Sequence, residues 1–179
     1  MQASGTLPGA YNYLKERKVE DLYNTETGCC PRFDPEPWDE KEHSWQRRKF
    51  IKDNVRAFLH IPIGFGKVMV RNMEKVHAAD AATPQPPICL CDECSLWSTD
   101  LFIETTKDVP DSEMVTISGS FLTKVFQGPY KDAKKWYQQM DEYVKSKDKT
   151  PEKIYAYYTT CPKCAKTYGK NYTVLIAKV

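Results

Sequence analysis

The chain of 179 residues has no apolar run of the length that crosses a membrane, and it has no excess of basic charge. A membrane-spanning helix needs about 20 consecutive apolar residues, whereas the mean hydropathy here is −0.62. Residues 1–10 have neither the basic start nor the apolar core of a signal peptide. The net charge is only +2, which disfavours binding along a nucleic-acid backbone. We therefore expect a soluble, cytoplasmic protein without a membrane or nucleic-acid partner.

Two common kinds of catalytic motif are also missing. The run Gly64-Phe65-Gly66-Lys67 lacks the length and the Ser or Thr of a phosphate-binding loop, so we expect no nucleotide cofactor. The three histidines, His43, His60 and His77, have no ligand spacing, and no Ser-His-Asp arrangement can be argued. His60 lies on an apolar predicted strand, where a core histidine is the expected interpretation.

Residues 1–54 differ in character from the rest of the chain. Residues 11–23 can form a short polar helix, and three prolines within residues 28–38 exclude a regular helix there. Phe33, Trp38, Trp45 and Phe50 give this segment more apolar anchors than a solvated tail normally carries. We predict an N-terminal helix and an extended arm, 1–54, docked on a domain that spans 55–179.

Residues 55–179 contain a repeated pattern of elements. We predict strands at 55–63, 97–106, 114–126, 153–160 and 172–179, with helices at 67–82 and 131–147. An offset of 63 pairs Met73 with Trp136, and an offset of 54 pairs residues 100–106 with 154–160. We therefore predict an α+β fold in which two strand-helix-strand-strand modules, about 55–118 and 119–179, are related by a pseudo-twofold axis. They are expected to form one antiparallel sheet with the helices on one face.

The segment 121–130, Phe-Leu-Thr-Lys-Val-Phe-Gln-Gly-Pro-Tyr, precedes a predicted helix that carries Trp136 and Tyr143. It resembles the strand, turn and helix of the GyrI-like (gyrase-inhibitor-like) small-molecule-binding family, and the resemblance covers about 55–179. It implies a bacterial protein with a ligand cleft between its two modules. The implied ligands are amphipathic, often cationic aromatic compounds, and some members hydrolyse reactive cyclopropane-containing compounds. The Cys-Cys-Pro arm and the Cys-Pro-Lys-Cys loop are not general features of that family and indicate a subgroup.

The resemblance also implies candidate site residues. Hydrolytic members use a pocket carboxylate near aromatic rings, and Glu104 is the best acid inside a predicted strand. Glu104 is then expected to activate water, with Tyr158 or Tyr130 binding the oxygen of the ligand. The alternative is a surface glutamate on an open sheet. The expected cavity walls, for which core packing is the alternative, are Trp97, Phe126, Tyr130, Trp136 and Tyr157.

Six of the seven cysteines form three close pairs, which in an unexported chain points to metal or redox chemistry: Cys29-Cys30, Cys91-x-x-Cys94 and Cys161-x-x-Cys164. The last pair lies in the turn of a predicted hairpin, which is the setting of a zinc knuckle. Only residues 165–168 precede Gly169, too few for the helix of a thioredoxin-like pair.

The second pair of zinc ligands is open between two alternatives. Cys91 and Cys94 repeat the two-residue spacing of Cys161 and Cys164, and we favour this set of four. Cys29 and Cys30 of the arm are the rival partners. The site would be one structural zinc with a closed shell of four thiolates, and buried thiols without a metal are the alternative.

The sequence thus favours a protein that binds a small ligand. In one form of this prediction the protein is also a hydrolase of small reactive or xenobiotic compounds. The first alternative is a zinc-stapled module whose aromatic face binds a partner protein. The second is a thiol-redox protein that uses Cys161 and Cys164. The identity of the ligand and the oligomeric state do not follow from the sequence.

Overall fold

The computed structural model describes residues 26–58, 61–92 and 97–179, and the predicted helix at 11–23 lies outside them. The strands are β1 (Lys41–Phe58), β2 (Ile61–Pro62), β3 (Cys89–Asp92), β4 (Ser98–Thr105), β5 (Glu113–Gln127), β6 (Lys153–Tyr158) and β7 (Tyr172–Lys178). The helices are α1 (Phe65–Ala78), α2 (Ala133–Lys145), which follows a 3-10 turn at Tyr130–Asp132, and α3 (Pro162–Tyr168). If β2 and α3 are left out, the order strand, helix, strand, strand occurs twice in this part of the chain.

The described strands form a closed barrel, so the prediction of one open sheet with helices on one face is wrong. Neighbouring strands are hydrogen-bonded in the order β1-β4-β3-β6-β7-β5, and β5 pairs again with β1 to close the ring of six. Every one of these pairings is antiparallel. Closure leaves no exposed sheet edge along the ring, and sheet rather than helix dominates the architecture.

The long first strand is the physical reason for closure. β1 begins at Lys41, inside the segment predicted as arm, and Trp45 and Phe50 are therefore strand residues. Residues 49–52 pair with β4 on one side and with β5 on the other. A bulge between Trp45 and Arg48, where Arg47 has a φ of 50°, lets the strand bend from one partner to the next. The short first strand predicted at 55–63 has no such second partner.

Both longer helices pack against one buried apolar cluster on the outer surface of the barrel. The amphipathic helix α2 contributes Trp136, Met140 and Val144, which lie over the outward-facing residues of β5, β6 and β7. Phe65 and Met73 of α1 pack against the same cluster. A ring of six strands has room only for side chains in its interior, so the surface that carries the helices must be the outside.

The opposite face of the same strands lines the interior of the barrel. Its buried members come from all six strands of the ring and are mostly aromatic or β-branched: Trp45, Phe50, Leu90, Phe102, Phe121, Tyr155, Val174 and Ile176. Phe33 and Trp38, which precede β1, pack against this interior cluster. Residues 28–38 thus lie across an end of the barrel. Nowhere in the described residues is there a helix with the length and apolar character that a membrane crossing demands.

Candidate functional site at one end of the barrel

Four cysteines from two distant parts of the chain form a compact cluster. The sulfur atoms of Cys29, Cys30, Cys161 and Cys164 all lie within 4.8 Å of one another. The Sγ atoms are 3.5 Å apart for Cys29 and Cys30, 3.8 Å for Cys29 and Cys161, and 3.4 Å for Cys161 and Cys164. A zinc–sulfur bond of about 2.3 Å gives a tetrahedron whose edge is about 3.8 Å. Donor type, number and spacing therefore fit one metal ion of the zinc type.

The start of α3 and hydrogen bonds between α3 and the arm bring these sulfur atoms together. Cys161 immediately precedes α3, with Pro162 at the first helical position, and Cys164 follows one turn later. The backbone N–H of Cys161 donates to Cys30 Sγ at 3.3 Å. The Tyr168 hydroxyl, also on α3, donates to the Cys30 carbonyl at 2.6 Å. The arm and α3 are thus joined by hydrogen bonds around the cluster as well as by the proximity of the thiols.

The thiols of the cluster differ in acidity. Burial raises the pKa of Cys29 to about 11, and burial also raises the pKa of Cys30. For Cys164 burial acts in the same direction, but hydrogen bonds from Thr27, Cys161 and the Cys30 backbone outweigh it and lower the pKa to about 7. The Thr27 hydroxyl lies 3.1 Å from Cys164 Sγ. A metal cation bound to all four sulfurs would have to displace protons from Cys29 and Cys30.

The structure brings together the cysteines that the sequence offered as alternative partners. Cys91 is 2% exposed and packs in the outer cluster under the helices. Cys94 lies outside the described residues. Cys91 and the Cys161 pair therefore occupy different environments, and among the described residues the group of three or more ligating side chains that can hold a metal is Cys29, Cys30, Cys161 and Cys164.

The arm continues from the cysteines onto the barrel through two aromatic rings. The Phe33 ring lies 6.2 Å from Tyr157 and 5.7 Å from Tyr172, centroid to centroid. The Trp38 ring lies 5.6 Å from Tyr157, and the Trp38 carbonyl accepts a hydrogen bond of 2.5 Å from the buried Thr123 hydroxyl. The aromatic contacts hold the arm against the end at which β6 finishes and β7 begins.

Glu104 lies at this same end, on the inward-facing side of β4. Its side chain is 13% exposed, and it shares a sheet face with the interior residue Phe102. Arg48 forms an ion pair with Glu104 Oε1, with Nε at 2.7 Å, and the backbone N–H of Ile88 donates to Oε2 at 3.3 Å. The Arg48 guanidinium also stacks over Trp45 at 4.9 Å. The carboxylate is thus oriented on both oxygens rather than displayed on an open surface.

Tyr157, not Tyr158, is the phenol on the side of Glu104. Tyr157 packs with the interior cluster and Tyr158 with the outer cluster, because neighbouring strand residues face opposite ways. Burial raises the pKa of Tyr157, and the negative charge of Glu104 raises it further. The structure therefore does not bring Glu104 and Tyr158 together. The offset of 54 residues paired β4 with β6. In the observed order of elements, however, β6 is the first strand after its helix and corresponds to β3, whereas β4 corresponds to β7.

The five predicted cavity walls are divided among separate places. Phe126 and Trp136 stack at 5.8 Å inside the outer cluster. Tyr130 is 46% exposed and makes an edge contact of 5.0 Å with Tyr158, whereas Trp97 is 59% exposed at the start of β4. Tyr157 lies on the other face with the arm. The described residues thus do not gather these five rings around one cavity.

The turn before α2 depends on its glycine. Gly128 has a φ of 150°, and a Cβ placed there would lie 3.4 Å from the Trp136 ring. A side chain at this position would therefore meet backbone strain, and its Cβ would lie in van der Waals contact with the Trp136 ring. The Gly-Pro-Tyr turn read from the sequence accordingly has a packing role.

The structure adds functional residues that the sequence analysis did not single out. Arg48 orients Glu104, and the only available signal was its place near Phe50 on a strand that was predicted as arm. Thr27 and Tyr168 surround the cysteine cluster. Thr27 stands two residues before Cys29, and Tyr168 stands four after Cys164, which is one turn along α3. Polar residues at those spacings from cysteine pairs were the signal that could have identified both.

Comparisons with known proteins identify one family and include a likeness to a distant solved structure. A search of curated protein sequences finds no match. The structure titled as SAV2435 bound to tetraphenylphosphonium is similar to this chain at 12% identity and a TM-score of 0.47, over 79% of this chain and 93% of that chain. The profile of the family described as "Bacterial hydrolase" matches residues 20–179. Since this match covers most of the chain, the protein belongs to the bacterial hydrolase family.

Proposed function

We propose that the protein binds a small amphipathic, aromatic ligand and hydrolyses it at Glu104, at the end of the barrel that the arm covers. The observation that carries the proposal is the Glu104 carboxylate, largely buried and held by Arg48 and the Ile88 amide beside aromatic side chains. The description of the family names hydrolysis as its activity. Sites of hydrolysis combine an oriented carboxylate with an environment from which most water is excluded.

The chemistry assigned to Glu104 is general-base catalysis. Its carboxylate takes one proton from a water molecule, and the hydroxide so formed adds to the electrophilic carbon of the ligand. The bond from that carbon to its leaving oxygen breaks, and the oxygen receives a proton from the Tyr157 phenol or from solvent. Arg48 is the positioning residue, since it fixes the direction of the carboxylate. Tyr157 takes here the role that the sequence analysis gave to Tyr158, because it shares the sheet face of Glu104.

A cationic ligand has a specific requirement at this site. Arg48 already neutralises Glu104, so an incoming cation has to replace the guanidinium as the partner of the carboxylate. Charge-assisted hydrogen bonds of this kind are stronger than neutral ones. We therefore expect cation binding to be weak in the native protein and to strengthen when Arg48 is replaced by Gln.

The test compares two acids that lie on the same face of β4. Calorimetric titration with tetraphenylphosphonium, an aromatic cation, is carried out on the native protein, Glu104→Gln and Asp100→Asn. The control is matched because Asp100 is also ion-paired, with Lys52 Nζ at 3.2 Å. We expect Glu104→Gln to raise Kd at least tenfold, and Asp100→Asn to change it less than twofold. Hydrolysis of a p-nitrophenyl ester is expected to fall at least 100-fold in Glu104→Gln, which is the usual size of a general-base contribution.

Equal binding and equal hydrolysis in Glu104→Gln and the native protein would contradict the assignment of Glu104. Loss of both in Asp100→Asn as well would indicate that charge on β4 in general, rather than this carboxylate, is responsible. Thermal unfolding of each variant checks that the barrel remains folded.

The cysteine cluster supports a second assignment, one structural zinc ion held by Cys29, Cys30, Cys161 and Cys164. The supporting observation is that the four sulfur atoms lie within 4.8 Å of one another. This spacing is close to the edge of a zinc–thiolate tetrahedron, about 3.8 Å. The backbone N–H of Cys161 donates a hydrogen bond to Cys30 Sγ, and hydrogen bonds of this kind stabilise a thiolate ligand. Four protein ligands leave no open coordination position, so the ion would stabilise structure and take no part in hydrolysis.

Zinc content per chain is the measurement for this assignment. We expect one equivalent in the native protein and in Cys91→Ser, and none or a small fraction in Cys164→Ser. Cys91 is the matched control because it belongs to the other Cys-x-x-Cys pair and is equally well buried. Loss of zinc in Cys91→Ser as well as in Cys164→Ser would contradict the assignment and return it to the set favoured from the sequence, Cys91, Cys94, Cys161 and Cys164. One equivalent retained in Cys164→Ser would contradict both sets.

A further inference from the structure

The arm connects the cysteine cluster directly to the end of the barrel that contains Glu104. Cys30 belongs to the cluster, and Phe33 contacts Tyr157 only three residues later. Trp38 makes the second ring contact with Tyr157, and β1 begins shortly after it at Lys41. The segment is therefore tied at both ends, by the cluster at its start and by the sheet at its finish.

Little besides these ties holds the arm on the barrel. Residues 28–40 form no strand pairing. Besides the ring contacts, their bonds to the described strands are three: the Trp38 carbonyl accepts from Thr123, the Asp39 carboxylate accepts from the Val125 N–H at 3.1 Å, and the exposed Glu40 pairs with Lys124. Each aromatic contact adds only a small stabilisation beyond the area that it buries. A segment with so few contacts belongs to the least stable part of a fold unless something anchors its free end.

The free end is anchored at α3 by the cysteine cluster. With a metal bound, four metal–sulfur bonds join the arm to α3. Without it, the connection consists of the hydrogen bonds of Thr27 and Tyr168, the Arg32 guanidinium 4.6 Å from the centre of the Tyr168 ring, and weak thiol contacts. Anchoring one end of a segment raises the effective concentration of its other contacts, so removing the anchor weakens all of them together.

Beneath the arm lies the phenol that borders Glu104. The interior of a closed barrel is reached only through its ends, and at this end the rings of Phe33 and Trp38 cover Tyr157. A ligand on its way to Glu104 has to displace them. We infer that residues 29–38 form a metal-latched cover, which stays closed while the four cysteines hold an ion and opens the Glu104 end of the barrel when the ion is lost. This inference rests on the proposed zinc site and on the proposed role of Glu104.

Hydrogen exchange measured by mass spectrometry tests the cover directly. The native protein is compared with zinc bound and after zinc removal by a chelator, and Cys164→Ser and Cys91→Ser are measured beside it. We expect exchange in residues 29–40 to increase at least tenfold on zinc removal and in Cys164→Ser. We expect no change in α2 and β7 under the same conditions, and arm protection equal to native in Cys91→Ser. Unchanged α2 and β7 show that the barrel is folded, which guards against a variant that merely unfolds.

A second variant separates the anchor from the rings. Phe33→Ala is expected to keep one equivalent of zinc and to increase exchange in residues 32–40 while residues 29–31 stay protected. The association rate of tetraphenylphosphonium is expected to rise at least fivefold in the zinc-free native protein.

The possible failures are distinguishable. If zinc binds and its removal leaves exchange of the arm unchanged, the cover is refuted while the zinc site stands. If no zinc binds to the native protein, both are refuted. If the arm opens on zinc removal but Glu104→Gln binds and hydrolyses as the native protein does, the ligand site lies elsewhere, and the cover does not serve Glu104.

Discussion

Two physically different kinds of structure cover the barrel: helices on its outer side and an extended arm at one end. The outer side is covered by α1 and α2, whose apolar residues join a continuous buried cluster with residues from all six strands of the ring. The end is covered by a segment without regular structure, whose contacts are two aromatic rings, a few hydrogen bonds and a cluster of thiols.

The difference indicates which of the two coverings needs a stabilising interaction besides apolar burial. Burial of large apolar side chains is sufficient on the helix side, because each buried residue contributes roughly 1.5–3 kcal/mol. On the arm side the apolar contribution is smaller and the ordering of an extended segment costs backbone entropy, of the order of 1–2 kcal/mol per residue. In the arrangement that we propose, a metal ion held by the four cysteines offsets that cost at a single point. Substitutions on the helix side are therefore expected to change the free energy of unfolding of the whole fold. Substitutions on the arm side are expected to change only the local opening of the arm.

Replacing Trp136 by Ala is expected to give the largest effect on stability. The Trp136 ring is buried in the outer cluster, stacks on Phe126 and borders the turn at Gly128. Removing it leaves a cavity, and the free energy of unfolding should fall by about 3–5 kcal/mol in urea titrations. Trp97→Ala, at a side chain 59% exposed, should change it by no more than about 0.5 kcal/mol. Equal effects of the two substitutions would contradict the packing described for the helix side.

Replacing Cys91 by Ser should give a smaller loss that separates the two regions. Cys91 is almost fully buried among apolar side chains, and placing the more polar serine hydroxyl in such surroundings costs about 1–2 kcal/mol. The urea midpoint should therefore fall while zinc content and arm protection stay native. Cys164→Ser should do the reverse, with loss of zinc and little change in the exchange of α2. A Cys91→Ser protein that lost its zinc would show that the two regions are not independent.

The sequence predicted most of the elements because their local signals are strong. The alternation of apolar residues and the Gly-Pro-Tyr turn located β5 and α2 to within a few residues. The start of β1 was missed because residues 41–49 contain many charged side chains, which are uncommon in strands and typical of a solvated segment. Closure of the ring follows from the second pairing of that strand, and this pairing is a long-range property without a local signal.

The candidate site was predictable only in part, for a related reason. The sequence identified both cysteine pairs of the cluster, but spacing alone favoured Cys91 and Cys94 over Cys29 and Cys30. Cys91 lies in a strand within the apolar core, and only the tertiary fold brings the arm to α3. Glu104 was identified as an acid inside a strand, whereas its partner Arg48 comes from a strand distant in sequence. Partners that meet through non-local pairing require the three-dimensional structure.

The smallest expected effect is a pH dependence that belongs to the arm side. His43 lies 5.1 Å from the Trp38 ring, and its Nε2 is 3.2 Å from the Thr123 hydroxyl that donates to Trp38. Burial lowers the pKa of His43, and the Arg48 cation lowers it further. The unfolded chain, with a pKa of about 6.5, therefore binds this proton more readily than the folded protein does. His43 thus removes stability as the pH falls below about 6.5, until the pH reaches its folded pKa.

We expect the native protein to lose up to about 1 kcal/mol between pH 7 and pH 5.5 through this group, since one proton contributes at most about 1.4 kcal/mol per pH unit. His43→Gln keeps an N–H donor for Thr123 but does not titrate, so its urea midpoint should depend less on pH over that range. At pH 8, where His43 is neutral, the two zinc-loaded proteins should have nearly equal stability. If the slope of the variant between pH 7 and pH 5.5 equalled that of the native protein, His43 would not be the titrating group. The acid sensitivity of the arm side would then have to come from the thiols, which bind protons in place of the metal as the pH falls.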